Sequence, residues 1–161
     1  MAFYKPVDCL CSHRKEDATP LIYDFLPNKY SHARYAGRLD RNTSGLILMS
    51  NDGDWINELT HPSRGKKKTY SIESGREISD YMMQMFEKGI QLDEGLAKAK
   101  CKRISDTSIE MVLETGYNRQ IRRMADEAGM SIKRLKRIAV GLYKLDDYRL
   151  KPGKYIEIEK K

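Results

Sequence analysis

An acidic residue between two arginines is the first group in this sequence that could take part in chemistry. Asp40 lies between Arg38 and Arg41 in the segment YAGRLDRNTSGLILMSNDG, residues 35–53. A carboxylate beside two guanidinium groups stays ionised at neutral pH, so it suits a nucleophile or an electrostatic partner better than a proton donor. The plainer alternative is a structural Asx turn or helix cap, because the residues that follow are typical of turns.

A second candidate is an arginine on a predicted amphipathic helix in the segment GYNRQIRRMADEAG. The apolar residues of this segment recur at the i, i+3, i+4 and i+7 spacing of one helix face. Arg122 falls at the edge of that face, whereas Arg119 and Arg123 fall on the opposite side. A partly buried arginine favours an anionic partner, although an arginine whose end reaches solvent is the simpler interpretation.

The elements that must hold these groups show no regular strand–helix–strand repeat. Leu46 to Met49 form a short continuous apolar run, which is typical of a buried strand. Alternating stretches around Tyr70 and around Met111 predict further strands, and Asn118 and Gly129 are predicted to cap the helix that carries Arg122. The pattern indicates an α+β fold, with a mixed, mainly antiparallel central sheet and flanking helices.

The composition favours a protein that binds a polyanion. The chain has 161 residues and a formal net charge of +7, and 33% of its residues are charged. Nucleic acid is the first candidate partner for such a balance. The odd count of three cysteines, the lack of an apolar signal segment and the lack of any run near 18 apolar residues predict a cytoplasmic protein without a membrane span.

One short motif invites a metal-site interpretation, which we do not adopt. Cys9, Cys11 and His13 alternate and would share one face of a strand. A structural zinc site needs four ligands. The other candidate ligands are scattered along the chain, at Cys101, His32 and His61. We therefore expect no metal, and expect small buried thiols and a surface histidine instead.

Three segments in order resemble a known family of enzymes. GRLDRNTSGLILMSNDG, KKTY and ETGYNRQIRRM are similar to the signature segments of ribosomal RNA pseudouridine synthases of the small-subunit-type family, which includes several large-subunit enzymes. FYKP and GMSIKRLKRIAVGLYKL resemble the opening and closing motifs of that family. The resemblance covers residues 1–161 as a single catalytic domain, with two possible lobes of about 1–74 and 75–161 and a boundary near residues 74–80.

The resemblance implies roles for individual residues. Asp40 would be the catalytic aspartate, Tyr70 would pack against the target uracil, and Arg122 would pair with Asp40. The family has a mixed central sheet with a cleft across it, and its members use neither a cofactor nor a metal. Contacts with RNA are expected from the following basic residues: Lys5, Arg38, Arg41, Lys66, Lys67, Lys68, Arg119 and Arg123.

The implied reaction is the isomerisation of a specific uridine to pseudouridine in ribosomal RNA. The base would leave C1′, turn and reattach through C5, after flipping out of its stack. Asp40 could add to the ring, attack the sugar or take a proton from C2′, and the sequence leaves all three open. The expected partner is 23S ribosomal RNA, with 16S ribosomal RNA or a pre-ribosomal particle as alternatives, and the expected state is a monomer.

The sequence departs from the family pattern in two places. The chain begins at the Lys-Pro motif, so we expect the branch without an N-terminal S4-type RNA-binding domain. Tyr117 stands where the family often has a second arginine, which puts one phosphate or base contact in doubt.

Two rival functions were weighed against this interpretation. A non-catalytic RNA-binding protein on the same fold would have no need of Asp40, and a glycosidase that releases the base would need a second acid.

Overall fold

The computed structural model describes residues 1–15, 17–61 and 66–161. Internal contacts divide the chain into a first unit, Met1–Lys66 with Arg137–Lys161, and a second unit, Lys67–Lys136. The sequence placed a lobe boundary near residues 74–80 and assigned the whole C-terminal half to the second lobe. The boundary lies elsewhere because the chain returns to the first unit at Arg137.

The secondary structure is α+β, as the sequence predicted. The helices are α1 (Gly53–Thr60), α2 (Asp80–Lys88) and α3 (Gln120–Ala128). The strands are β1 (Ala2–Lys5), β2 (Arg34–Tyr35), β3 (Ser44–Ser50), β4 (Lys68–Ser74), β5 (Ile90–Leu92), β6 (Gly95–Ala97), β7 (Lys100–Ser105), β8 (Ser108–Leu113), β9 (Ile132–Val140), β10 (Tyr143–Lys144) and β11 (Tyr155–Ile156). Among the described residues no helix is long and apolar enough to cross a bilayer.

The first unit is organised around the buried strand β3. β1 pairs antiparallel with β3, with Phe3 opposite Ile47, and β2 pairs antiparallel with the far end of β3. β11 pairs with the other edge of β1, and β9 lies beside β3. Leu46 to Met49 are fully buried, which confirms the buried strand that the sequence predicted. Trp55 of α1 packs into the same core and meets Tyr143 edge-on.

The second unit packs two helices on one face of a strand group. β8 pairs antiparallel with β4 and with β7, β9 lies beside β4, and β5 and β6 form a separate pair. Ile109, Met111 and Leu113 alternate along β8 and are buried, as their spacing predicted. Phe86 of α2 and Met124 of α3 are fully buried in the same apolar core.

The helix ends follow local chemistry with some corrections. Asp52 caps α1 by accepting from the amides of Asp54 and Trp55, and Ser79 caps α2. The predicted cap of α3, Asn118, is wrong, because Arg119 occupies that position with a φ of 48° and forms no side-chain cap. A 3-10 helix, Ile22–Phe25, follows Leu21, whose amide donates to the Asp24 carboxylate.

Candidate active site

Asp40 lies in a tight turn that leads into β3. The amide of Thr43 donates to the carbonyl oxygen of Asp40 at 3.0 Å, which closes the turn. The Asp40 side chain is half-buried, between exposed Arg38 and exposed Arg41. We call residues 37–46 the Asp40 turn, and its position directly before a rigid buried strand agrees with the sequence prediction.

Lys5 holds the Asp40 turn from inside the first unit. Its ammonium donates to the carbonyl oxygens of Thr43 at 2.9 Å, Arg41 at 3.3 Å and Pro6 at 2.9 Å. Burial lowers the pKa of Lys5, whereas nearby groups including Asp40 raise it. Since the Lys5 side chain is fully buried, the prediction that it contacts RNA directly is wrong. Its role in this structure is to fix backbone carbonyls beside Asp40.

Arg137 of β9 holds the two ends of the Asp40 turn. Its Nε donates to the carbonyl oxygen of Leu46 at 2.8 Å, and one terminal nitrogen donates to that of Gly37 at 3.4 Å. Gly45 allows this approach: a Cβ there would lie 2.2 Å from the carbonyl oxygen of Arg137. Arg137 is only 2% exposed, and the sequence analysis did not single it out. Arg137 is marked in the sequence by its place in the closing motif GMSIKRLKRIAVGLYKL. That place does not show which residues its side chain contacts.

Cys11 holds the residue directly before Asp40. Its Sγ accepts from the amide of Leu39 at 3.4 Å. Burial raises the pKa of Cys11 and raises that of Cys9 to about 11, so both are neutral thiols at neutral pH. In the described part of the chain no group of three or more potential ligands could hold a metal ion. In this structure both thiols are buried, and that of Cys11 also accepts a hydrogen bond.

Tyr70 and Arg122 belong to the second unit. Tyr70 lies on β4 opposite Met111 and packs partly against the apolar core, so its ring is half-buried. Arg122 is half-buried on α3 beside the buried Ile121 and so lies at the edge of the apolar face. The roles of both residues at the uracil and at Asp40 stay predictions.

The start of α3 is held by a neutral side chain that the sequence analysis did not weigh. Gln120 is 4% exposed. Its Oε1 accepts from the amide of Tyr117 and from the hydroxyl of Thr115, both at 3.0 Å. Its Nε2 donates to the Thr115 hydroxyl at 2.8 Å. The loop that precedes Arg122 is therefore tied to the first residue of its own helix.

At least four of the eight basic residues that were predicted to contact RNA carry ion pairs, and these four are exposed or partly exposed. Exposed or partly exposed pairs of this kind contribute little, about 1 kcal/mol or less, and can exchange a carboxylate for a phosphate. Arg38 and Arg119 are exposed, and Lys68 begins β4 with a half-buried side chain. The ion pairs are Arg41–Asp8, Lys66–Glu58, Lys67–Glu114 and Arg123–Glu94.

The geometry of the first unit fixes a carboxylate and leaves cations around it. Two buried cationic side chains bind the backbone on both sides of Asp40, so the carboxylate is carried on a rigid turn. A fixed carboxylate with positive charge nearby can act as a nucleophile or as an electrostatic partner. The surrounding exposed arginines suit a polyanionic substrate.

This fold and turn belong to a known class of enzyme. The family model for RNA pseudouridylate synthase matches residues 1–127, and the chain belongs to that family. A crystal structure described as that of a pseudouridylate synthase has the same fold, with a TM-score of 0.90 and 29% sequence identity. The match covers 98% of this chain and 69% of that chain, which confirms the predicted fold class.

The curated relatives carry one shared name. Ribosomal large subunit pseudouridine synthase B of Haemophilus influenzae is 36% identical over 152 residues, which are 90% of this chain and 42% of the relative. The protein of the same name in Escherichia coli strain K12 is 34% identical over 148 residues, 88% of this chain and 50% of the relative. The chain thus spans about half the length of the curated relatives it matches.

Proposed function

We propose that this protein isomerises a uridine of ribosomal RNA to pseudouridine, with Asp40 as the catalytic residue. The observation that carries the proposal is the Asp40 turn, a carboxylate on a backbone held by Lys5 and Arg137, in a chain of the RNA pseudouridylate synthase family. The names of its relatives favour the large-subunit, 23S ribosomal RNA over 16S. A pre-ribosomal particle is the alternative form of the substrate.

The chemistry places one demand on each proposed residue. The N1–C1′ bond of uridine breaks, a C5–C1′ bond forms, the C5 proton leaves and N1 gains a proton, so no outside reagent is consumed. Asp40 acts on the extruded nucleoside, and Tyr70 stacks on the uracil, an interaction worth about 1–3 kcal/mol. Arg122 is the anion partner of Asp40, and Arg38 holds the flipped nucleotide near the turn.

The surface cations complete this proposal as a phosphate-binding set. Lys66, Lys67, Arg119 and Arg123 contact the backbone of the RNA without reading its sequence. We further propose that the protein is a cytoplasmic monomer. Size-exclusion chromatography with light scattering, run with and without ribosomal RNA, tests the monomer.

Mapping of the modified base tests the proposed reaction. Unmodified transcripts of 23S and 16S ribosomal RNA are incubated with the protein and treated with carbodiimide, and pseudouridines are read as reverse-transcription stops. We expect a new stop in 23S ribosomal RNA with the wild type and none with Asp40→Asn. Asp54→Asn, an exposed acid of the same unit, is the matched control and should leave the stop in place.

The results separate the rival functions. An RNA-binding protein without activity would bind the transcripts and produce no stop, and stops that persist with Asp40→Asn would exclude Asp40 as the catalytic residue. A glycosidase would release free uracil and leave abasic sites, which stop reverse transcription without carbodiimide. A stop in 16S alone would move the substrate to the small subunit.

The role of Arg122 has its own test. If Arg122 pairs with Asp40, Arg122→Ala loses turnover at saturating RNA while most of the RNA affinity remains. Arg123→Ala, the next residue of the same helix, is the matched control. A variant Arg122→Ala with normal turnover and weak binding would show that Arg122 is a phosphate contact.

A further inference from the structure

Three aromatic rings of the first unit lie together beside the Asp40 turn. The ring of His13 lies nearly parallel to that of Tyr23, with centroids 4.2 Å apart, and nearly parallel to that of Tyr35, with centroids 6.2 Å apart. His13 is exposed, and both tyrosines are half-buried. We call these residues the ring cluster. It is not part of the buried apolar core of the unit.

Hydrogen bonds to the backbone fix the two tyrosines of the ring cluster. The Tyr23 hydroxyl donates to the carbonyl oxygen of Ala33 at 2.6 Å, and the Tyr35 hydroxyl donates to that of Cys11 at 3.2 Å. Burial raises the pKa of Tyr23 and of Tyr35, so both hydroxyls stay protonated donors. The rings are therefore held in place before any ligand arrives, which lowers the entropic cost of binding.

The ring cluster is connected to the Asp40 turn through Cys11. The Cys11 thiol accepts from the Leu39 amide at 3.4 Å, and Leu39 directly precedes Asp40. His13 follows Cys11 by two residues, which span at most about 7 Å of chain. The exposed ring of His13 thus lies on the order of 20 Å or less from Asp40, within reach of nucleotides close to one bound at Asp40.

The charge around the ring cluster favours an anionic polymer. Arg38 is near enough to Tyr35 and to Cys11 to interact with both electrostatically, and it has no ion-pair partner among the residues that the structure describes. Arg14 is exposed next to His13. Asp24, which follows Tyr23 in the chain, is already paired with Lys15 at 3.8 Å and accepts from the Leu21 amide.

We propose that the ring cluster stacks on an unpaired RNA base that lies close in sequence to the target uridine. Aromatic rings with cations beside them suit single-stranded nucleic acid, because every base has a face that can stack. This proposal rests on the proposed function, which places the target at Asp40. It assigns a binding role to His13, whose alternation with the two cysteines had suggested only a surface histidine.

A fluorescent base tests the stacking directly. The probe is a single-stranded oligouridylate that carries one 2-aminopurine, whose emission falls when it stacks on an aromatic ring. The wild type and Asp40→Asn should both bind the probe and quench it. The variants His13→Ala and Tyr35→Leu should lose the quenching and bind about 5- to 150-fold more weakly, the fold-change expected for one lost base stack.

Conservative variants separate stacking from a purely structural role. His13→Phe keeps a ring and should retain the quenching, and Tyr35→Phe removes only the hydroxyl bond to Cys11. His32→Ala and Tyr81→Leu are matched controls, since both residues are exposed and lie outside the ring cluster. Should Tyr35→Leu fail to fold, His13→Ala still decides, because an exposed side chain can be removed at little cost in stability.

The outcomes distinguish this proposal from the proposed function. If folded His13→Ala binds and quenches like the wild type, or if His32→Ala loses as much, the stacking proposal is overturned whatever Asp40 does. If the wild type modifies no ribosomal RNA while His13→Ala and Tyr35→Leu lose quenching and the controls keep it, base stacking on the ring cluster stands and the enzymatic proposal fails.

Discussion

In the first unit two buried cations hold the Asp40 turn by its carbonyl oxygens, whereas in the second unit a buried neutral amide holds the start of α3. Lys5 and Arg137 are 0% and 2% exposed, and Gln120 is 4% exposed. All three bind backbone groups next to a residue that we propose for the chemistry. Each unit therefore holds the backbone near a proposed site residue through buried hydrogen bonds. The first unit uses cationic side chains for this, and the second unit uses a neutral amide.

The difference follows from what each region must carry. A buried cation is costly to desolvate, but its positive charge favours the ionised form of a carboxylate nearby. Arg119 ends the loop before α3, and Arg122 and Arg123 lie in the first turn of α3, so a further buried cation there would be repelled by them. A neutral amide can donate and accept at once, so it ties the loop without adding charge.

Removal of Arg137 should have the largest effect. Arg137→Met keeps the apolar chain but leaves the carbonyl oxygens of Leu46 and Gly37 without their donor. Each buried acceptor that loses its partner costs about 1–3 kcal/mol, so we expect the free energy of unfolding to fall by about 3–5 kcal/mol. Urea denaturation measures the change.

The control for Arg137 is on the same strand. Arg134 is exposed and pairs with Glu73 at 3.6 Å, so Arg134→Met should change stability by less than about 1 kcal/mol. Equal losses from both variants would mean that the bonds of Arg137 to the Asp40 turn are no more important than a surface ion pair.

The sequence correctly predicted the features that depend on residues close together in the chain. The turn at Asp40 and the buried run in β3 depend on residues within a few positions of one another. The bonds of Lys5 and Arg137 join residues 38 and 91 positions apart, to Thr43 and Leu46. Nothing local distinguishes such a lysine from a surface one, which is why Lys5 was assigned to RNA.

The unit boundary was missed for a related reason. Composition changes mark linkers, but at the second junction the strand β9 itself crosses from one unit to the other, between Lys136 and Arg137. The cap of α3 was misplaced by one residue because Asn118 is a good cap former, while Gln120 supplies the bonds that order this loop.

Two thiols, the buried Cys9 and the half-buried Cys101, test the charge difference between the units. Burial raises the pKa of Cys9 to about 11 against an opposing effect of Lys5, and burial raises that of Cys101 to about 12 with no cation opposing it. A thiol of the unfolded chain titrates near 9.0. Between pH 9 and 11 the unfolded chain therefore binds fewer protons than the folded protein, and stability falls as the pH rises.

Through Cys9 alone, we expect the free energy of unfolding to fall by on the order of 2 kcal/mol by pH 11. Denaturation curves of the wild type and of Cys9→Ala, taken at several pH values from 8 to 11, should converge as the pH rises. Cys101→Ala, measured in parallel, should still be converging with the wild type at pH 11. Curves for Cys9→Ala that stay parallel to the wild type would show that Cys9 keeps an ordinary pKa.

Removal of the neutral amide should cost less than removal of Arg137. Gln120→Leu fills the space but leaves the amide of Tyr117 and the Thr115 hydroxyl without their partner, which costs about 1–2 kcal/mol. Thermal unfolding measures it, with Gln84→Leu on the exposed face of α2 as the control. A loss as large as that of Arg137→Met would remove the distinction drawn between the two units.

The smallest effect on stability is expected at the surface of α3. Arg123 binds Glu94 through two bonds, at 2.9 and 2.7 Å, so a phosphate must displace that carboxylate before Arg123 can contact RNA. Glu94→Gln should change stability by less than about 1 kcal/mol yet strengthen RNA binding, with a steeper salt dependence. Filter binding across a salt series measures both, with Glu87→Gln, an exposed glutamate on α2, as the control. If Glu94→Gln leaves affinity and salt slope unchanged, Arg123 is a structural partner of Glu94, and the second unit presents fewer cations to RNA than its sequence suggests.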